Sequence, residues 1–254
     1  MLMDDESYLL HLKALSLAKF LMSGIQKSSF SGDLLDLGTH TEFVKALYKA
    51  IVYHSSSEIR SLAFENFQRF FELFDVKGRY RLSTLIFKVC NHSGLIGHTV
   101  TQIKNIIVAG LNQSNLSEHF KGQSLKVLVQ SFCRLKHKEE TDLLEVSDEV
   151  MSSLNFLICL FLRDKSNETG IRDMIVELQE NYLQHIEKGL TLSRAHYQMR
   201  LFDCKDSKNA DSLYEETTLT VGGRVLPIMN RDQVKISFFP NSSKKHKHFV
   251  YILT

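Results

Sequence analysis

The sequence predicts an all-α fold, a HEAT- or armadillo-like helical-repeat solenoid with a small C-terminal β-hairpin. Three observations carry that expectation. Among 254 residues the only prolines are Pro227 and Pro240, where average usage of about 5% gives roughly a dozen. Everything before Pro227 is therefore free of the residue that breaks helices. Apolar residues recur at i, i+3 and i+4 in block after block, the period of an amphipathic helix. The Gly/Pro turn signals that an all-β chain needs at regular spacing are missing, with only 12 glycines present.

Each element follows from its own pattern. Tyr8, Leu9, Leu12, Leu15, Ala18, Leu21 and Met22 predict a first helix, broken by Ser23–Gly32. Thr41 precedes Phe43, Leu47, Ile51 and Val52, a second. Ser55 with Glu58 has the S-x-x-E spacing of a capping box. It opens a third helix through Ile59, Ala63, Phe67, Phe70 and Phe74, and Asp75–Gly78 reads as a turn. Tyr80 to Val89 predicts a fourth helix, ended by Asn91–Gly94, and Val100 to Leu111 a fifth. Leu125 to Phe132 predicts a sixth, with Arg134, Lys136 and Lys138 placed to complement the dipole at its C-terminal end. Ser147 is the expected cap of a seventh, with Asp148 and Glu149 in its first turn and Met151, Leu154, Leu157, Ile158 and Phe161 facing inward. Gly170 to Asp203 reads as one long helix. After a polar linker, Thr217–Val221, Gly222-Gly223 and Arg224–Ile228 predict the hairpin.

Helices of about 15–20 residues joined by short turns, in pairs of about 40 residues, fit a stacked repeat. A compact helical bundle is the alternative arrangement. The expected divisions are 1–204 for the repeats, 205–236 for linker and hairpin, and 237–254 for a disordered or aberrant tail. Pro240 stops a helix in that tail, and Lys244, Lys245, His246, Lys247 and His248 favour solvent.

Composition narrows the function. Lys plus Arg number 31 against 29 acids, and basic residues do not recur once per repeat, so no nucleic-acid partner is expected. Cys90, Cys133, Cys159 and Cys204 show no C-x-x-C spacing and read as buried reduced thiols. Asp4, Asp5 and Glu6 occupy the place of a signal peptide's basic region. The longest apolar run, Leu154–Leu162, is interrupted by Asn155 and is too short to span a bilayer. A cytoplasmic chain without a membrane partner is the expectation.

The chemistry-bearing residues do not assemble into a motif. Gly94-x-x-Gly97 and Gly222-Gly223 lack the lysine and the strand-to-helix context of a phosphate loop. No G-x-S-x-G or H-E-x-x-H occurs. Cys133 and His137 fall four apart, one face of a helix if the helix continues, but no third group completes a nucleophile. No enzyme and no cofactor are expected.

Several strings, read together, point further. They are Asn91-His92-Ser93-Gly94 with Gln102-Ile103-Lys104-Asn105, then Glu140-Thr141-Asp142-Leu143-Leu144 with Ser147-Asp148 and Met151-x-Ser153-Leu154-Asn155. Thr169-Gly170 follows, then Gly189-Leu190-x-x-Ser193-x-Ala195-His196-Tyr197, then Thr220-Val221-x-Gly223 to Pro227. In order and spacing, up to about residue 236, they resemble the C-terminal half of the glomulin family. More distant relatives of that family are a plant lateral-root factor and fungal transcription-factor-binding proteins.

The resemblance implies a non-catalytic HEAT-like protein. It would bind the RING subunit of cullin-RING ubiquitin ligases and block recruitment of the ubiquitin-conjugating enzyme. The alternative is a helical scaffold for another protein, such as an immunophilin, a receptor tail or a transcription factor. The resemblance also implies that the family's N-terminal half is missing here, so that the chain is a fragment. It further implies a final long helix after the hairpin, which Ser237-Phe238-Phe239-Pro240 does not continue. Polar residues inside the matched strings are the expected partner contacts: Asn91, His92, Thr141, Asp142, Arg194, His196 and Tyr197.

Overall fold

The computed structural model describes residues 5–206, 220–221 and 224–225. Among them, α-helices dominate. The chain divides into two compact units, Met1–Ile186 and Glu187–Thr254.

In the first unit, α1 (Asp5–Ser23) and α2 (Gly38–Tyr53) both pack on α3 (Ser57–Leu73). Tyr8, Leu12, Leu15, Ala18 and Met22 of α1 meet the core, whereas Leu9 and Leu21, expected inward, are exposed. The buried Asn66 amide on α3 donates to the Leu15 carbonyl at 2.9 Å, which fixes the two helices in register. Ser56, not Ser55, caps α3: its hydroxyl accepts from the Ile59 amide, while Glu58 accepts from the Tyr8 hydroxyl at 2.5 Å.

Between α1 and α2 the chain runs as a strap along the end of α3. Ser28 N donates to Glu72 O, Phe30 N to Leu73 O, and Asp75 N back to Phe30 O, at 2.8–2.9 Å. The Arg79 guanidinium rivets the strap, donating to the Ser28 hydroxyl and to the Glu72 and Phe74 carbonyls, each at 2.9 Å. The expected turn over Asp75–Gly78 is shorter than the sequence suggests. Asp75 caps α4 (Val76–Val89) directly, accepting from Gly78 N at 2.7 Å. Phe67, Phe70, Phe71 and Phe74 are all buried, with Phe70 and Phe74 edge to face at 5.1 Å. These rings are core.

α5 (Ser93–Asn112) starts well before Val100 because the His92 ring caps it, Nδ1 accepting from Leu95 N at 3.3 Å. α6 (Gly122–Phe132) ends at Cys133, so Arg134, Lys136 and Lys138 lie beyond it and not in its last turn. Cys133 and His137 consequently do not share a helical face. α7 (Ser147–Arg163) packs along α5. Ser147 is its first residue and not its cap, and Met151, expected inward, is exposed.

A tight loop follows α7. The buried Asp164 carboxylate accepts from Glu168 N and Thr169 N, each at 2.8 Å, and from the Thr169 hydroxyl at 2.6 Å. With the Ser166 hydroxyl at 3.5 Å as a fourth donor, these bonds outweigh the opposing effect of burial and hold Asp164 below its ordinary pKa. Gly170 closes the loop at φ 76°, a conformation glycine adopts without strain.

The single long helix expected from Gly170 to Asp203 is instead a series of windings. A 3₁₀ turn, Ile171–Met174, leads into α8 (Ile175–Leu178), a π turn at Gln179–Leu183, and α9 (Gln184–Asp206). Ile171, Met174, Leu178, Tyr182 and Ile186 are all buried, at the i, i+3, i+4 spacing that keeps one side of the segment inward through these windings.

Of residues 205–236, the structure describes little. β1 (Thr220–Val221) pairs antiparallel with β2 (Arg224–Val225), Thr220 opposite Val225 and Val221 opposite Arg224. Two residues per strand are all that is described of the hairpin expected from Thr217 to Ile228; its remaining residues lie outside those described. The tail 237–254 lies outside them as well.

Candidate functional site

Three sequence-predicted contact residues come together. Asn91, Thr141 and Asp142 line a cleft of about 210 Å³ in the first unit, between the ends of α4 and α6 and the start of α7. The elements that shape it are helix termini, where caps and short turns expose polar groups. His92 stands beside it, exposed, with one ring nitrogen committed to capping α5.

Asn91 is exposed and accepts from Lys136 Nζ at 3.0 Å, which draws the segment after α6 against the end of α4. Asp142 is exposed, and its Oδ1 accepts from Leu144 N at 2.9 Å, an Asx turn leading into α7. Thr141 differs. It is buried, and its hydroxyl accepts from His137 N at 3.1 Å, closing the loop over Lys138–Glu140.

Sequence reasoning missed the residue at the centre of the cleft's electrostatics. Glu149, in the first turn of α7, has its carboxyl pKa raised to about 7 by burial, against the opposing pull of Lys136 and Arg134. Its backbone amide donates to Ser93 Oγ at 2.9 Å, which ties α7 to the start of α5. The rim carries both signs, Arg134 and Lys136 facing Asp142 and Glu145. Such a rim suits the polar surface of a protein and selects no single charge.

The cleft offers no activated nucleophile. Burial raises the Cys90 thiol that lines it, the opposite of what a thiolate requires, and pushes Cys133, outside the lining, well above its ordinary pKa. A second hollow of about 260 Å³ lies beside His98. Burial lowers the His98 pKa, and its Nε2 sits 3.3 Å from Gln102 Nε2 and 3.5 Å from Gln68 Nε2, so the neutral ring accepts from amides.

The remaining expected contacts are in the second unit. Arg194 is half-buried on α9. His196 and Tyr197 belong to the same helix by backbone, and their side chains lie outside those described. Among the described residues no helix is long and apolar enough to cross a membrane.

Comparison with known proteins gives a consistent result. The family model described as an uncharacterised protein family, YAP/Alf4/glomulin, matches residues 6–222. Human glomulin is 28% identical over 219 residues, covering 85% of this chain and 36% of its own length. Mouse glomulin is 27% identical over 220 residues, covering 85% of this chain and 37% of its own. The chain thus spans little more than a third of these relatives.

Proposed function

The chain belongs to the YAP/Alf4/glomulin family, and from that premise we propose that it is a non-catalytic interaction protein that binds the RING subunit of a cullin-RING ubiquitin ligase. Binding there denies the ubiquitin-conjugating enzyme its docking surface. The observation that carries this reading is the family match over residues 6–222. The helical fold supports its coarser form, a scaffold for protein–protein contact. The Cys90 thiol in the cleft, raised by burial, supports the absence of thiolate catalysis there.

In this reading the helices stack as HEAT-like repeats, and the protein works in the cytoplasm, where buried reduced thiols such as Cys90 and Cys133 persist. Asn91, His92 and Asp142 at the cleft, with Arg194, His196 and Tyr197 on α9, form the partner contacts. Thr141 supports them from beneath.

The test is reconstitution. Purified chain added to a cullin–RING core should slow ubiquitin-chain synthesis in proportion to its occupancy. Unchanged synthesis at saturating chain rejects the reading. A pull-down that recovers an immunophilin, receptor tail or transcription factor and no RING subunit replaces it with the broader scaffold function.

A further inference from the structure

Lys136 stands between two acceptors. Its Nζ donates to Asn91 Oδ1 at 3.0 Å, a bond between two exposed side chains. Its charge also pulls on the half-buried Glu149 carboxyl of the same cleft, more strongly than that of Arg134. Yet among the described residues no ion pair joins Lys136 to Glu149, and no hydrogen bond reaches that carboxyl. The Glu149 amide is tied to Ser93 Oγ at 2.9 Å, so the first turn of α7 is held in place. The movable member is the lysine, a point charge on a flexible four-carbon stem.

We propose that Lys136 is a proton-operated latch: it holds Asn91 while Glu149 is protonated, and crosses to the Glu149 carboxylate when the proton leaves, freeing the Asn91 amide for a partner. The two acceptors differ in kind. Asn91 offers a neutral oxygen in water. Ionised Glu149 offers a charged one, partly shielded from water, and charge-assisted bonds are about twice as strong as neutral ones. Burial raises the Glu149 carboxyl to about 7, so the exchange falls near neutrality.

The surrounding groups leave this choice to Glu149. Cys90 ends α4, Cys133 ends α6, and Tyr182 lies in the π turn. Burial raises all three above their ordinary values, so none of them changes charge near neutrality. On α5, His92 is turned to its own helix cap. On α7, Asp148 lies toward Gly94. His137, Asp142 and Glu145 complete the charged lining. The Asn91 amide nitrogen of the main chain donates to the Tyr48 hydroxyl at 3.5 Å, so the backbone stays and only the side chain is released. The latch changes what the rim presents and not the fold. It concerns this chain alone and holds whichever protein the cleft meets.

The experiment is an NMR titration of the full 254-residue chain from about pH 5.5 to 8.5, the span around a group titrating near 7. It follows the Asn91 side-chain amide and the Glu149 carboxyl. The Asn91 amide is expected to shift with the midpoint of Glu149, and to stay flat in Glu149→Gln and in Lys136→Met. The first of these variants also separates Glu149 from His137. Asn91→Ala is expected to lower the Glu149 midpoint by about half to one pH unit, because it removes the acceptor that favours the protonated state. A neutral side chain with only a structural part does not move that midpoint. An Asn91 amide that ignores pH in the wild type overturns the proposal. So does a Glu149 midpoint unmoved by Asn91→Ala, the result if Lys136 reaches both acceptors at once. A response kept in Lys136→Met and lost in Arg134→Met overturns it too, and gives the exchange to Arg134.

Discussion

Gly97 of α5 lies against the backbone of Asp148 on α7. A Cβ at position 97 would sit 2.7 Å from the Asp148 carbonyl oxygen and 2.9 Å from Ser152 Oγ. The first of these neighbours is main chain and has no rotamer with which to retreat. Replacing Gly97 by Ala gains helix propensity, about 1 kcal/mol, but forces the two helices apart. The net expectation is a loss of about 1–3 kcal/mol, as for an overpacked core. Urea denaturation checks it, and a midpoint equal to or above wild type would show that α5 and α7 can slide.

Glu149 gives the fold a pH dependence of unusual sign. A carboxyl raised to about 7 in the folded state holds its proton where the unfolded chain has lost it. Its contribution is complete below the unfolded value near 4.5, declines as pH rises, and is gone above about 7. Glu149→Gln should therefore stabilise the chain at pH 8, by about 1–2 kcal/mol once partial exposure is discounted, and change little at pH 4.5. Half-buried His98, whose pKa is lowered, acts in the opposite sense, losing stability as pH falls below 6.5. The quantity to measure is the difference between variant and wild type at each pH, where the His98 contribution cancels.

Thr141 and Arg194 separate support from contact. Thr141→Val strands the His137 amide and should cost about 1 kcal/mol of stability while leaving RING affinity unchanged. Arg194→Ala, or Tyr197→Ala, should weaken RING binding by about 1–3 kcal/mol without lowering the melting temperature, as truncated interface anchors do. Calorimetry and a binding titration on the same samples decide. The reverse pattern would assign Arg194 to packing and Thr141 to the partner surface.

Asp164 organises the loop between α7 and the 3₁₀ turn at Ile171. Asp164→Ala leaves Thr169 N and Glu168 N without their acceptor and should destabilise the chain by about 2–4 kcal/mol. Because its folded pKa is depressed, its contribution is present above the unfolded value near 3.8 and disappears as pH falls below it. Wild type and variant should therefore converge in acid titration. A gap that persists at pH 2 would mean that Asp164 acts by shape alone.

Helix positions were largely legible in the sequence because each depends on local periodicity and caps. Faces were less legible. Leu9 and Leu21 belong to the same apolar helix as Leu12 and Leu15, and nothing local says which stripe meets α3. The windings after Gly170 were hidden because the buried residues from Ile171 to Ile186 keep the spacing of one continuous helix, so no local pattern marks the 3₁₀ and π turns. At the cleft, Asn91 and Asp142 were found through strings shared with a family. Glu149 and Lys136 were seen only as helix-end charges, since the burial that raises Glu149 comes from segments distant in sequence.

The strap at Ser28–Phe30 sets how this protein opens. Its amides belong to no helix, yet they are bonded to the end of α3, and Arg79 of α4 closes over them. α1 cannot peel away through simple fraying of a terminal helix, because its exit segment is stitched into the α3–α4 junction. The three helices form one cooperative opening unit. The Ser28, Phe30 and Asp75 amides should then exchange with deuterium as slowly as the middle of α3, irregular backbone reporting the rarest excursions of the unit.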